Sequence, residues 1–275
     1  MKNDRILVLG AGFIGKRLRE EFDCAICDKE ISSHSQAEKE ILKHHPRIII
    51  NCIGNTGINV DDCERDKDRS LLSNAFVPLI LAEAALRQNI RLVHVSSGCI
   101  FNFNYAADKP LNEEKTPDFL GLFYSRTKIY AELPLRILAS KYRILIPRIR
   151  IPLDNRPHPR NILTKLLASG KVIDLPNSIT YLPDFALALK HLLRIQATGI
   201  YNIVNKGVLK YPELMETYKK YVPDFKYKRV GFKRLGLTRT NLLLSTKKLE
   251  KTGFKMRDIH AVLDECVRQY LDEKR

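Results

Sequence analysis

The residues Gly10-Ala11-Gly12-Phe13-Ile14-Gly15 form a G-x-G-x-x-G turn directly after the apolar run Arg5–Leu9 and directly before a helical stretch, Phe13–Phe22. Few folds accommodate that order. Gly10 permits a tight turn, Gly12 lets a pyrophosphate approach the backbone, and Gly15 lets the helix pack closely on the strand. The helix start then offers its first N–H groups to an anion. Cys24–Asp28 reads as the next strand, ending 18 residues after Gly10 in a carboxylate placed to accept hydrogen bonds from a ribose. Gly10, Gly12, Phe13, Ile14, Gly15 and Asp28 are therefore candidate dinucleotide ligands. Asp28 favours NADH, whereas Lys29, with Lys16 and Arg17 nearby, can receive the extra phosphate of NADPH; both stay open.

The rest of the first half alternates in the same way. Ser35–His44 reads as a helix ended by Pro46, and Arg47–Cys52 is a continuous β-branched run suited to a buried parallel strand. Leu71–Leu86 keeps helical spacing, with a kink expected at Pro78. Arg91–Val95 is a strand, 102–120 a polar loop, Tyr124–Ser140 a helix interrupted at Pro134, and Arg143–Ile149 a strand. Such alternation specifies an α/β fold, a Rossmann-type doubly wound parallel sheet. Beyond Arg150 the alternation degrades: Asn155–Arg160 is loop-like, Asn161–Ala168 and Leu182–Ile195 helical, Gly199–Val204 a strand and Ile259–Tyr270 an amphipathic helix. We expect a dinucleotide-binding core over 1–152 and a smaller, interwoven C-terminal substrate lobe over 153–275, with 182–205 returning to the core.

Charge and cysteine usage narrow the setting. The 275 residues carry a net charge of +16, which suits polyanionic ligands in general. The densest stretch, Lys226–Arg257, holds eleven Lys/Arg against one acid, Glu250, yet no nucleic-acid signature accompanies it. It reads as a solvated basic face, without a nucleic-acid partner. No uninterrupted apolar run approaches the roughly 18 residues a bilayer span requires, so no membrane partner is expected. Residues 1–5 lead into an apolar run too short for a secretory leader. Six scattered cysteines, with one C-x-x-C at Cys24 and Cys27 and no second pair, imply no metal site. The expected setting is cytoplasmic, and a homodimer is compatible with it.

A second motif, Tyr124-Ser125-Arg126-Thr127-Lys128, is a Y-x-x-x-K. At i and i+4 the two side chains share one helical face. An ammonium beside a phenol stabilises the phenolate, so the tyrosine can exchange a proton near neutral pH. Upstream, Val93–Ser97 ends a strand with Ser97 at the carboxyl edge of the sheet, where such sites lie. The order glycine turn, Ser97, then Tyr124 and Lys128 carries more weight than any one motif.

That ordered set resembles the extended branch of the short-chain dehydrogenase/reductases. More narrowly, the chain resembles the epimerase–reductase part of plant rhamnose synthases and bacterial dTDP-4-dehydrorhamnose reductases. The resemblance rests on Asn51-Cys52-Ile53-Gly54-Asn55-Thr56-Gly57, Ser97-Gly98-Cys99-Ile100-Phe101, Phe123–Lys128, Arg148-Ile149-Arg150-Ile151-Pro152, Pro159-Arg160-Asn161-Ile162-Leu163-Thr164-Lys165 and Leu175-Pro176-Asn177-Ser178. One departure stands out: Leu9 replaces the first glycine of the family's usual loop, which leaves cofactor preference open.

The resemblance implies reduction of a nucleotide-linked 4-keto-6-deoxyhexose by NADPH or NADH, preceded by C3/C5 epimerisation, to give a nucleotide-L-rhamnose-type sugar. Ser97 and Tyr124 would hold the C4 carbonyl, Lys128 the nicotinamide ribose, and Cys99 and Lys165 would invert C3 and C5. Asn51, Cys52, Ile53, Gly54 and Asn74 would line the cofactor, and Thr56, Asn59, Asn161 and Asn177 the nucleotide-sugar substrate. Arg148 or Arg150 would approach a phosphate. Two rivals remain: a reductase without epimerase activity, and a non-catalytic NAD(P)-binding regulatory subunit, against which the retained Ser97, Tyr124 and Lys128 weigh.

Overall fold

The structure, a computed structural model, describes residues 3–57 and 59–273. Residues 1 and 2, part of the segment weighed as a leader, lie outside them. The chain begins as β1 (Asn3–Leu9), α1 (Phe13–Phe22), β2 (Cys24–Cys27), α2 (His34–His44) and β3 (Ile48–Asn51). The Ser33 side chain caps α2 by accepting the Gln36 N–H, and His45 closes the helix in the left-handed region at φ 45°, just before Pro46. Short helices α3 (Asp62–Arg65) and α4 (Lys67–Leu71) lead through a π-helical turn, Leu72–Phe76, into α5 (Val77–Arg87). Then come β4 (Arg91–His94), β5 (Ser96–Ser97), α6 (Phe123–Ala139) and β6 (Ile144–Ile149). The remainder comprises β7 (Pro152–Leu153), α7 (Ile162–Ser169), β8 (Lys171–Ile173), β9 (Thr180–Tyr181), α8 (Leu182–Arg194), β10 (Gly199–Asn202), α9 (Tyr211–Lys219), β11 (Lys228–Val230), α10 (Lys247–Glu250) and α11 (Ile259–Asp272).

Two compact units result. The first comprises the chain up to Ile100, Pro117–Arg148 and Leu189–Tyr201; the second comprises Phe101–Thr116, Ile149–Ala188 and Asn202 onward. The loop 101–116 thus groups with the second unit instead of the core in which the sequence division placed it. Leu111 bridges Leu244, and Glu113 accepts the Asn202 N–H at 2.9 Å, so its partners lie there.

The sheet of the first unit has the order β10-β6-β4-β3-β1-β2, with β5 beside β6. Its pairings β1–β2, β1–β3, β3–β4 and β4–β6 are parallel. The order reverses between β1 and β3, and ligands of open α/β sheets bind at the carboxyl edge beside such a reversal. Register brings Leu9, Cys27, Asn51 and His94 into one row at that edge. Leu7, Leu9, Ile49, Leu81, Leu92, Leu135 and Ile146 form the core, as expected where helices cover apolar strands.

Two prolines behave differently from the sequence expectation. Pro78 has no N–H for the Asn74 carbonyl, and the helix meets that loss with the π turn at 72–76 instead of a break. The helical run Lys67–Arg87 is long and apolar enough to cross a membrane by length and hydropathy alone, and half of it is buried within the protein. Pro134 does not interrupt α6. The carbonyl it leaves without an N–H belongs to Tyr130, which is exposed to water.

The second unit has its own core of Leu163, Tyr181, Leu214, Val262 and Tyr270. Two small parallel pairs, β7–β9 and β8–β11, accompany it and were not expected from sequence. Arg257 bonds Asp184 at 2.7 Å and Glu265 at 2.9 Å, and its guanidinium lies 5.7 Å from the Tyr181 ring centroid.

The glycine turn supplies a test of the fold. A Cβ at Gly15 would lie 1.9 Å from the Gly10 carbonyl oxygen, whereas one at Gly170 would meet nothing within 4 Å. Gly15→Ala should therefore destabilise by roughly 2–4 kcal/mol through overpacking and backbone shift. Gly170→Ala, with only its positive φ to oppose it, should cost about 1 kcal/mol. Urea unfolding of both variants checks this; equal losses would refute the seating of α1 on the turn.

Candidate active site

The glycine turn sits where the first three strands end. Gly10 adopts φ +96°, and a Cβ there would come within 2.8 Å of the Ile53 nitrogen. The Gly10 N–H donates to Cys27 at 2.9 Å and the Cys52 N–H to Leu9 at 2.8 Å, which stitches the turn to both neighbouring strands. Gly12 is the N-cap of α1 and brings no side chain to cap with, the arrangement of a helix start that takes an anion. A dinucleotide fits this cradle: the close backbone approach is real at Gly10 and Gly15. Phe13 is buried and Ile14 half-buried.

Asp28 lies exposed just past the end of β2. Lys29 is paired with Glu40 at 3.1 Å, and the ammonium holds that carboxyl below its ordinary range. The structure thus commits the expected phosphate-rescuing lysine to a carboxylate.

The next wall is the segment 51–57. The Asn51 side chain accepts the Ile53 N–H at 2.9 Å and reaches His94 Nδ1 at 3.1 Å. Asn74, from the π turn, accepts the Asn55 N–H at 2.8 Å, donates to the Asn55 carbonyl at 2.9 Å and to Thr127 Oγ1 at 3.2 Å. Its amide, fully buried, is spent on the protein itself. Asn74, expected as a cofactor ligand, holds this loop. Gly54 lies against it, since a Cβ there would come 3.1 Å from the Asn74 oxygen. Thr56 is half-buried, and Asn59 is exposed with its N–H donating to Asp62 at 3.2 Å.

Tyr124 and Lys128 are buried on one face of α6. Glu64 accepts the Phe123 N–H at 2.6 Å and so caps the start of that helix, which has no side-chain cap of its own. Ser125 Oγ donates to the Cys99 carbonyl at 2.5 Å, and Ser97 Oγ accepts the Cys99 N–H at 3.0 Å. Lys128 Nζ donates to the Val95 carbonyl at 3.2 Å. Two turns of α6 are thereby tied to the segment 95–99, which brings Ser97, Cys99, Tyr124 and Lys128 to one edge.

Burial pushes the Lys128 ammonium down to about 8, against the opposing pull of the Glu132 carboxylate. Burial also pushes the Cys52 thiol up to about 12. His94 is held well below its usual range by burial and by the charge of Lys128, so its ring is neutral.

The remaining predicted residues lie in the second unit. Arg150 is buried, bonded to Asn177 Oδ1 at 3.1 Å and to the Thr240 carbonyl. Asn177 also accepts the Leu242 N–H at 3.1 Å and donates to Asn241 at 3.0 Å. Asn161 caps α7, accepting the Leu163 N–H at 3.1 Å and donating to the Asp154 carbonyl at 2.7 Å. Arg150, Asn161 and Asn177, read as substrate contacts, each make hydrogen bonds to this unit's own chain. Lys165 is half-buried on α7. Arg148, read as an alternative phosphate contact, is fully buried against Glu132.

Sequence reading missed Asn55, Glu64, Ser96, Ser125 and Glu132. For Glu132 a signal existed: it follows Tyr124 and Lys128 at the same four-residue step on a buried face.

A family model described as the RmlD substrate binding domain matches residues 4–210. The bifunctional dTDP-4-dehydrorhamnose 3,5-epimerase/dTDP-4-dehydrorhamnose reductase of Arabidopsis thaliana is 35% identical over 192 residues, 66% of this chain and 62% of that protein. A trifunctional UDP-glucose 4,6-dehydratase/UDP-4-keto-6-deoxy-D-glucose 3,5-epimerase/UDP-4-keto-L-rhamnose-reductase of the same plant is 30% identical over 81% of this chain and 35% of its own. The chain therefore spans less than two thirds of the length of these plant relatives. The L780 UDP-rhamnose synthase of Acanthamoeba polyphaga mimivirus shares the fold, with a TM-score of 0.88 at 24% identity over 96% of this chain and 99% of that one. So does a dTDP-4-dehydrorhamnose reductase from Bacillus anthracis in complex with NADP, at TM-score 0.82 and 22% identity over 99% and 100%.

The loop clamp is directly testable. Asn74→Ala would leave the Asn55 N–H and carbonyl without their partner, at a cost of about 2–4 kcal/mol. Urea unfolding should register that loss, and hydrogen exchange should show the Asn55 amide deprotected ahead of the sheet. Unchanged protection would show that the clamp does not hold the loop.

Proposed function

The chain belongs to the RmlD substrate binding domain family, and from that membership we propose that it reduces the C4 ketone of a nucleotide-linked 4-keto-6-deoxyhexose, after inverting C3 and C5 on the same protein. The product is a nucleotide-L-rhamnose-type sugar. The observation that carries the reading is Lys128, sealed on α6 one turn after Tyr124 and bonded to the carbonyl at the end of the central strands.

A nicotinamide dinucleotide, when bound, supplies the hydride. Gly10, Gly12 and Gly15 give it a close backbone cradle, Asp28 meets its ribose, and Lys128 holds the second ribose. Ser97 donates a hydrogen bond to the ketone oxygen, and Tyr124 gives that oxygen its proton as the carbonyl becomes an alcohol. Lys128 keeps a positive charge beside the phenolate that remains. Cys99 and Lys165 enter the proposal through the stretches that contain them, Ser97–Phe101 and Pro159–Lys165. Both C3 and C5 lie beside the ketone, so removing either proton gives an enolate that hydrogen bonds from Tyr124 and Ser97 stabilise. Inversion then needs a base on one ring face and an acid on the other, which a thiol and an amine can provide. Six cysteines without a disulfide among the described residues fit a reducing, cytoplasmic setting.

Incubation with nucleotide-4-keto-6-deoxyhexoses and each reduced nicotinamide in deuterated water tests this. Label at C3 and C5 of a 4-hydroxy product is expected; reduced product without label would leave a reductase alone. Tyr124→Phe should lower kcat about 100-fold or more, and normal turnover would remove it as proton donor. Asp28→Ala should shift preference toward NADPH, read as the ratio of kcat/KM for the two cofactors, since a carboxylate at that position repels a 2′-phosphate. An unchanged ratio would take Asp28 out of the ribose site.

A further inference from the structure

The face of α6 that carries Tyr124 and Lys128 continues one turn further to Glu132, and there the packing departs from what an apolar helix–sheet contact requires. Glu132 is 1% exposed and Arg148, from β6, 0%. Arg148 Nε donates to the two carboxylate oxygens at 3.0 and 3.1 Å, and its Nη2 adds a bond of 2.5 Å. Ser96 Oγ donates to the same carboxylate at 2.6 Å. A buried ion pair is a weak source of stability, because desolvating both charges offsets most of their attraction. Leucine or isoleucine would fill the space at less cost. Something other than packing is served.

Lys128 supplies the reason. Its ammonium is 4% exposed and has left water for a single carbonyl bond to Val95. The groups facing it come from several elements: Tyr124 and Glu132 on α6, Cys52 past β3, His94 on β4, with Arg148 behind Glu132 on β6. Cys52 stays a thiol and His94 a neutral ring. Glu132 is thus the source of negative charge within this group, and Ser96 and Arg148 fix where that charge sits.

We propose that Glu132 is a positioning residue for the reduction, keeping Lys128 in its charged form at the sheet edge, and that Ser96 and Arg148 hold Glu132 in place for that purpose. The inference rests on the reductase reading for its function, though not for its geometry. Direct attraction across one helical turn in a low-dielectric site favours the ammonium over the amine. Without it, burial wins and the lysine sheds its proton at lower pH.

The test follows Lys128 itself. In protein labelled with ¹³C at lysine Cε and free of dinucleotide, the Lys128 resonance, assigned by Lys128→Arg, should titrate near pH 8. Glu132→Gln should lower that midpoint by a full unit or more, and Glu132→Asp should restore most of it. In turnover, the basic limb of the pH profile for kcat should move down by the same amount, because the reaction loses its cation as pH rises through that midpoint. Should Glu132→Gln not fold, the double variant Glu132→Gln/Arg148→Met removes both buried charges and should show the same downward shift. A midpoint and basic limb that stay within about 0.3 unit of wild type in a folded variant, with only thermal stability lowered, would overturn the proposal and leave the cluster structural. If the wild type turned over no ketone yet the Lys128 resonance moved as stated, the reductase reading would fail and the coupling would stand.

Discussion

An ammonium removed from water is unfavourable by several kcal/mol unless its surroundings answer it, and Lys128 is nearly sealed. Its answer is assembled from distant parts of the chain: the Val95 carbonyl, the Glu132 carboxylate, and neutral Cys52 and His94 that add no competing charge. The arrangement requires α6 to sit in one rotational setting on the sheet. Glu64 fixes the start of that helix, Ser125 ties it to Cys99, and Arg148 grips it at Glu132. Three anchors along one helix define a face to within a fraction of a turn, which is what the proposed proton transfer by Tyr124 beside Lys128 needs.

The opposite wall is held by the same economy. Asn74 bonds both backbone groups of Asn55, as a neighbouring strand would, and then reaches Thr127 on α6. A loop lined by backbone at a ligand site cannot be covered by another strand, so a side chain takes that part. The π turn occurs at this residue and nowhere else among the described residues. Pro78 leaves the Asn74 carbonyl without its usual donor, and the widened turn absorbs the defect where the side chain is needed. Loop, π turn and α6 therefore form one hydrogen-bonded path from the glycine turn to the tyrosine–lysine face.

The first half of the chain was readable because its signals are local and periodic. Ile48-Ile49-Ile50 can scarcely be other than a buried strand, and Gly10 to Gly15 states its own backbone requirement. Proline was overvalued as a breaker: at Pro134 the orphaned carbonyl is on an exposed residue and costs little. The second unit resisted because its strands have two or three residues, too short for a period to register. Polar residues were the larger difficulty. Asn74, Arg150, Asn161 and Asn177 stand out in sequence as candidate ligand contacts, and in the structure each bonds its own chain. Sequence cannot distinguish an amide that binds a ligand from one that binds its own chain, since both need the same atoms. The distinction depends on burial and partner, which are tertiary facts.

The same division separates two kinds of positive charge. Lys128, Arg148 and Arg150 are buried, each bonded to fixed partners over about 3 Å. Exposed Lys226, Lys228, Arg234, Lys247, Lys251 and Lys255 belong to the basic stretch that weighs heavily in the net charge of +16. Salt screens exposed charges beyond a Debye length of about 8 Å at physiological ionic strength, and buried pairs much less. The exposed set acts on how often an anionic ligand arrives, through a long-range field that added salt erases. The buried set acts on what happens after arrival, and salt leaves it largely intact. Excess surface charge and the buried cation are thus separable by ionic strength.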